Sequence, residues 1–133
     1  MSGQSLAITH DFYDRYNRGD LDGAMELFAA DARHDNRVLG QTFEGRDAIR
    51  AFLDDYAEIV EEPTAVPTAF ATEGDLVIVT VSLGGRFRNT RLTQATIPTE
   101  LVHGFTFRED EIAWWTICSS QTETLRAAGR LPS

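Results

Sequence analysis

An α+β fold is predicted, a cone in which a curved antiparallel sheet is wrapped around three N-terminal helices, and three observations predict it. Apolar residues at spacings of three and four occupy the first part of the chain, β-branched runs follow from Ala65 onward, and short turns separate those runs. The organising stretch is 99–121. Over 99–107 the odd positions give Leu101, His103, Phe105 and Phe107 and the even ones Glu100, Val102, Gly104 and Thr106, a period of two with a histidine on the apolar side. After a turn at 108–111, a second strand over 112–121 carries Trp114 and Trp115 on opposite faces, so both faces of the sheet should be covered. A cone of this kind leaves a pocket between sheet and helices, the usual place for a small ligand.

Each element follows from its spacing. Ile8, Phe12 and Tyr16 recur every four residues, with Tyr13 beside them, and mark one stripe of a first helix. Asn17-Arg18-Gly19 ends it, since Gly19 can take the left-handed conformation past a helix end. Asp20 is the expected N-cap of a second helix with Leu21, Ala24, Leu27 and Phe28 on one face. From Asp31 the helical spacing fails, and 32–39 reads as an irregular polar strand. Gly45-Arg46-Asp47 introduces a third helix with Ile49, Phe52, Leu53 and Tyr56 at helical spacing, stopping before Glu61-Glu62-Pro63. Strands follow over 65–72 and 76–83 around a turn at Glu73-Gly74-Asp75, and Gly84-Gly85 is expected to break the second of them. The arginines Arg86, Arg88 and Arg91 mark a hairpin extension or a pocket rim that could attract a carboxylate. Leu125 and Ala128 before Gly129 predict a short terminal helix.

Composition narrows the function classes. The 133 residues suit a single domain spanning 1–133, and with 42% hydrophobic and 25% charged residues the chain resembles an ordinary globular protein. No apolar run approaches the roughly 20 residues of a membrane span, and the N-terminus lacks the basic start and apolar run of a signal peptide, so a cytoplasmic location is expected. A net charge of −9 argues against nucleic-acid binding, which needs a basic surface. The single cysteine, Cys118, excludes an internal disulfide or multi-cysteine zinc site, and His10, His34 and His103 show no metal-ligand spacing. Neither metal nor cofactor is expected.

Over 16–28 (Tyr-Asn-Arg-Gly-Asp-Leu-Asp-Gly-Ala-Met-Glu-Leu-Phe), 43–52 (Phe-Glu-Gly-Arg-Asp-Ala-Ile-Arg-Ala-Phe) and 111–117 (Glu-Ile-Ala-Trp-Trp-Thr-Ile), the chain resembles the NTF2-like superfamily, in its SnoaL-like and ketosteroid-isomerase-like branch. The resemblance implies a cone-shaped α+β barrel, commonly homodimeric through the outer face of its sheet, and a range of activities from isomerases and polyketide cyclases to dehydratases and epoxide hydrolases. The catalytic groups of ketosteroid isomerase do not carry over. Its oxyanion-hole tyrosine falls on Phe12, its general-base aspartate on Asn36, and its neutral aspartic acid on His103. The Arg-x-Asp of limonene epoxide hydrolases is missing from the last three strands. So is the final-strand acid of SnoaL-type cyclases, whose place Trp115, Ile117 and Ser119 take.

The expected site is therefore a pocket for a small, mostly apolar molecule. If the His103 face points inward, Val81, Leu83, Leu101, Phe105, Trp115, Ile117 and Ser119 line it from the strands, and Phe12, Tyr13, Tyr16 and Tyr56 from the helices. His103 is either the candidate general acid or base, because an unperturbed imidazole exchanges a proton near neutral pH, or a core histidine hydrogen-bonded to a tyrosine or backbone group. His34 and Asn36, two apart on one strand face, are the candidates for placing or polarising a substrate oxygen. Isomerisation, cyclisation or loss of water would follow. The alternative is a non-catalytic homodimeric binding or protein-interaction module, favoured by the lack of every familiar catalytic carboxylate.

Overall fold

The computed structural model describes residues 2–87 and 99–132, so Arg88 and Arg91 of the arginine cluster lie outside the described residues. The chain runs α1 (Ser2–Asn17), α2 (Leu21–Met25), β1 (Phe28–Asn36), β2 (Gln41–Glu44), α3 (Arg46–Ile59), β3 (Val60–Glu73), β4 (Leu76–Phe87), β5 (Glu100–Arg108), β6 (Glu111–Cys118) and α4 (Gln121–Ala127). The strands form one open sheet in the order β2-β1-β6-β5-β4-β3. The α+β class and the three N-terminal helices are as expected, with α4 as the short terminal helix. No helix among the described residues is long and apolar enough to cross a membrane.

The local chemistry accounts for the corners. Gly19, at φ 79°, ends α1, and the Asp20 side chain caps α2 by accepting from the Gly23 N–H at 2.9 Å. The turn between β5 and β6 has Glu109 and Asp110 both at positive φ, 51° and 66°, the left-handed pair that a two-residue hairpin needs to match strand twist.

Three details differ from expectation. The second helix stops at Met25, and Phe28 opens β1 instead of completing a helical stripe; its apolar side chain was available to either period. The sheet is mixed, because β1 runs parallel to β6. Hairpin turns dictate antiparallel pairing only between neighbours in sequence, and these two strands are not neighbours. Gly84 and Gly85 do not break β4, which pairs with β3 through Glu61↔Arg86 and Val60↔Phe87. Gly85 sits at φ +121° against Val60 and Glu61, a bulged approach that a side chain would obstruct. Within this hairpin Arg86 reaches Glu61 at 2.6 Å. On the outer face of the sheet Trp114 is half-buried. Leu76, Ile78 and Val102 form a small outer-face cluster against which Trp114, Leu125 of α4 and Ala128 just past its end pack, and the indole N–H donates to Asp35 at 2.8 Å. Gly104 permits this, since a Cβ there would lie 2.7 Å from Thr124 of α4.

The main core lies between the inner sheet face and α1 to α3 and centres on Phe12, which meets Tyr13, Phe28, Phe105 and Trp115 edge-on. One polar clamp fastens this layer to the sheet edge. Asn17, the last residue of α1, donates to the Ala65 carbonyl at 2.9 Å and accepts from the Ala65 N–H at 2.7 Å. Replacing Asn17 by Ala should strand both groups of a buried residue and cost about 2 kcal/mol of stability, read as a lower urea midpoint; an unchanged midpoint would show the clamp to be dispensable.

Candidate ligand site

Residues paired directly across adjacent strands point to the same face, so the register sorts the inward side chains into layers. His34, Trp115, Phe105 and Val77 form one, Asn36, Ile117, His103 and Val79 the next, and Leu101 pairs with Val81 in a third. The period-two reading of β5 thus put His103 and Phe105 on the correct face. His103 and Asn36 stand level, on either side of Ile117.

Between these layers and the helices lies a cavity of about 450 Å³. Of the residues expected there, Phe12, Tyr16, Asn36, Tyr56, Leu83, Leu101, His103, Trp115 and Ile117 line it. Five do not. Tyr13, Val81, Phe105 and His34 are buried in the core without lining the cavity. Ser119 is displaced because β6 ends at Cys118; its N–H and hydroxyl instead reach the Glu123 carboxylate at the start of α4. The reading missed Val38, Leu39, Phe52, Leu53, Ile59 and Ala65. Phe52 and Leu53 belonged to a helical stripe already recognised, whereas Val38 and Leu39 are an apolar pair beyond the end of β1 in a polar segment. With Ile59 they form an exposed lip, Leu39 reaching 59% exposure.

Two histidines are buried here. His103 Nδ1 lies 2.7 Å from the Tyr13 hydroxyl, and His34 Nδ1 lies 2.9 Å from the Trp115 carbonyl, which can only accept, so this nitrogen carries the His34 proton. The His34 ring lies against the Trp115 indole, centroids 3.9 Å apart. The Nε2 atoms of both histidines and the Trp115 indole N–H are buried without a hydrogen-bond partner among the described residues. Burial pushes the His103 pKa down to about 3, with nearby His34 adding to the shift. It pushes His34 down to about 4, against the opposing pull of the Trp115 carbonyl and Asp35. Both rings are neutral near pH 7. The proton exchange near neutrality expected of His103 is therefore not what this environment provides: desolvation outweighs every other influence on the ring.

The remaining polar groups are also uncharged. Asn36 Oδ1 accepts from the N–H groups of Val38 and Leu39 at 3.1 and 2.9 Å, which fixes the amide orientation and leaves Nδ2 as the free end. Burial raises the pKa values of Tyr16 and Tyr56, with the proximity of Tyr56 adding to the Tyr16 shift, so both hydroxyls keep their protons. No carboxylate, lysine or arginine is among the described lining residues, and no group of three or more histidine, cysteine or acidic side chains that could hold a metal occurs among the described residues. The arrangement offers an aromatic slot with neutral hydrogen-bonding groups along one wall, suited to orienting and polarising an oxygen atom.

Known proteins of the same shape support the architecture. A crystal structure of a candidate polyketide cyclase from Sinorhizobium meliloti is 25% identical, with 84% of this chain and 93% of that one covered at a TM-score of 0.69. An NTF2-like protein of unknown function from Burkholderia pseudomallei matches at 21% identity, 92% and 95% coverage and a TM-score of 0.75. A protein of ketosteroid-isomerase-like fold from Catenulispora acidiphila, solved with trimethylamine, matches at 21% identity, 94% and 93% coverage and a TM-score of 0.69. No curated protein sequence matches the chain. The family model for the SnoaL-like domain matches residues 9–115, and with most of its length so matched the chain belongs to the SnoaL-like domain family.

Proposed function

We propose that the protein binds a small, mostly apolar molecule bearing a carbonyl or hydroxyl oxygen and acts on it as an isomerase, cyclase or dehydratase, by polarising that oxygen instead of trading a proton with it. One observation carries the reading: His103 lines an aromatic cavity as a buried, neutral imidazole with an unpartnered Nε2. Packing alone would place an aliphatic side chain there, since an unpartnered polar atom costs free energy that a ligand oxygen can recover.

Hydrogen bonds from the site to a carbonyl draw electron density from it and acidify the adjacent C–H, and they strengthen as the oxygen becomes enolate-like. Asn36 Nδ2 and His103 are the groups for this task, while Phe12, Phe52 and Trp115 hold the carbon skeleton and exclude water. The site supplies no strong base of its own, so the proton would pass to water at the mouth beside Leu39, and the reaction suits a C–H already activated by the substrate, such as one between two carbonyls. His34 acts indirectly, through its contact with Trp115. The second reading, a homodimeric binding module without turnover, draws support from the absence of charge among the described lining residues.

Two measurements bear on this. With 2-acetonaphthone and naphthalene as probes and quenching of tryptophan fluorescence as readout, the ketone should bind about three- to tenfold more tightly, the worth of one net hydrogen bond. His103→Phe should erase that difference while still binding naphthalene; persistence of the preference would remove His103 from ligand recognition. The second concerns pH. Because His103 and His34 have folded-state pKa values of about 3 and 4, below the ordinary 6.5, the unfolded chain takes up protons first. The stabilising effect of keeping the rings neutral is complete above about pH 6.5 and declines as the pH falls toward 4, by roughly 2 kcal/mol per unit near pH 5.5. His103→Phe should cut that slope to about half, which urea titrations across pH 5 to 7 would register.

A further inference from the structure

We propose that Tyr13 is a positioning residue that holds His103 as the tautomer protonated on Nε2, so that the cavity meets a hydrogen-bond donor. Sequence spacing had placed Tyr13 on the pocket wall; it stands behind His103 instead, and its hydroxyl bonds His103 Nδ1 at 2.7 Å where both side chains are buried.

Two proton arrangements fit that distance. Either the hydroxyl donates to a bare Nδ1 and Nε2 carries the imidazole proton, or a protonated Nδ1 donates to the hydroxyl oxygen. The second arrangement leaves the hydroxyl hydrogen needing another acceptor. The ring neighbours of Tyr13 are Phe12, Phe105 and His103, and its hydroxyl has no other hydrogen-bond partner among the described residues. That arrangement would bury an unmatched donor and also leave Nε2 as an unmatched acceptor. The first satisfies the hydroxyl completely and leaves one unmatched group, the Nε2–H of His103, on a residue that lines the cavity. Burial keeps Tyr13 protonated, its pKa well above the usual tyrosine value, so the hydroxyl has a proton to donate.

Asn36, level with His103 across Ile117, reaches the same polarity by a different route. Its oxygen is taken by the N–H groups of Val38 and Leu39, and Nδ2 remains. Both polar groups at this level then present N–H bonds. An oxygen with lone pairs only, that of a ketone, ester or quinone, satisfies either one, whereas a group that must donate satisfies neither. This choice of ligand class rests on the cavity being the ligand site; the tautomer itself does not.

The test is a long-range proton–nitrogen NMR correlation on protein labelled with nitrogen-15 in histidine, near neutral pH, with His103 assigned by difference from His103→Gln. The wild-type spectrum should show Nδ1 of His103 as a bare nitrogen and Nε2 as a protonated one. In Tyr13→Phe that separation should shrink as the tautomers exchange. A protonated Nδ1 in the wild type, or an unchanged Nε2–H pattern in Tyr13→Phe, would overturn the proposal. Should Tyr13→Phe not fold, the wild-type spectrum decides alone. If the Nε2–H pattern is present and carbonyl probes still fail to bind, the cavity loses its standing as a ligand site while the role of Tyr13 holds.

Discussion

Desolvation of imidazole governs this structure. Two histidines sit on adjacent layers of the sheet, His34 against Trp115 and His103 against Tyr13, and the pull of Asp35 on the His34 ring is weaker than its desolvation. Charging a ring in such surroundings costs more than the protein offers in return, so both remain neutral and each depends on a single bond through Nδ1. The chemistry available to the cavity follows from that constraint. A neutral imidazole orients and polarises, and the same holds for Asn36, whose oxygen is committed to the turn that carries the lip.

The fold was legible because its signals were local. Alternation along β5 identified the inward face that bears His103, the stripe of α3 named Phe52, Leu53 and Tyr56 as one face, and Gly19 with Asp20 marked the first corner. What stayed illegible was set by long-range geometry. The direction of β1 relative to β6 is decided by packing between segments far apart in sequence, and no turn residue records it. Which aromatic side chains reach the void was equally hidden: Phe105 of β5 and Tyr56 of α3 are both aromatic positions on apolar faces, yet only the second reaches it. Val38 and Leu39 were misread as part of a polar strand because their apolarity serves a cavity mouth, which has no period of its own. The failure at His103 was of another kind. Its position was read correctly and its acidity was not, since a pKa depends on what surrounds the ring from every side.

The family relationship and the site carry different weight. Neighbours with TM-scores from 0.69 to 0.75 share the architecture at identities of 21 to 25%, a level at which a cone can be kept while its wall is rewritten. Here the cavity wall carries Phe12, Asn36 and His103, none of them a carboxylate. The described lining residues are neutral groups throughout.

An open sheet ends in two rows of backbone groups, and each row invites another chain to add a strand. At one end β2 is only four residues long, Gln41 to Glu44, too short a template to be useful. At the other, β3 runs for fourteen residues but contains Pro63 and Pro67, which have no N–H to offer, and its pairing with β4 shifts register beside both. The long edge is thereby interrupted at intervals that a regular incoming strand cannot match. Growth of this sheet by edge addition into fibrous assemblies is opposed by its own covalent structure, whatever is bound in the cavity.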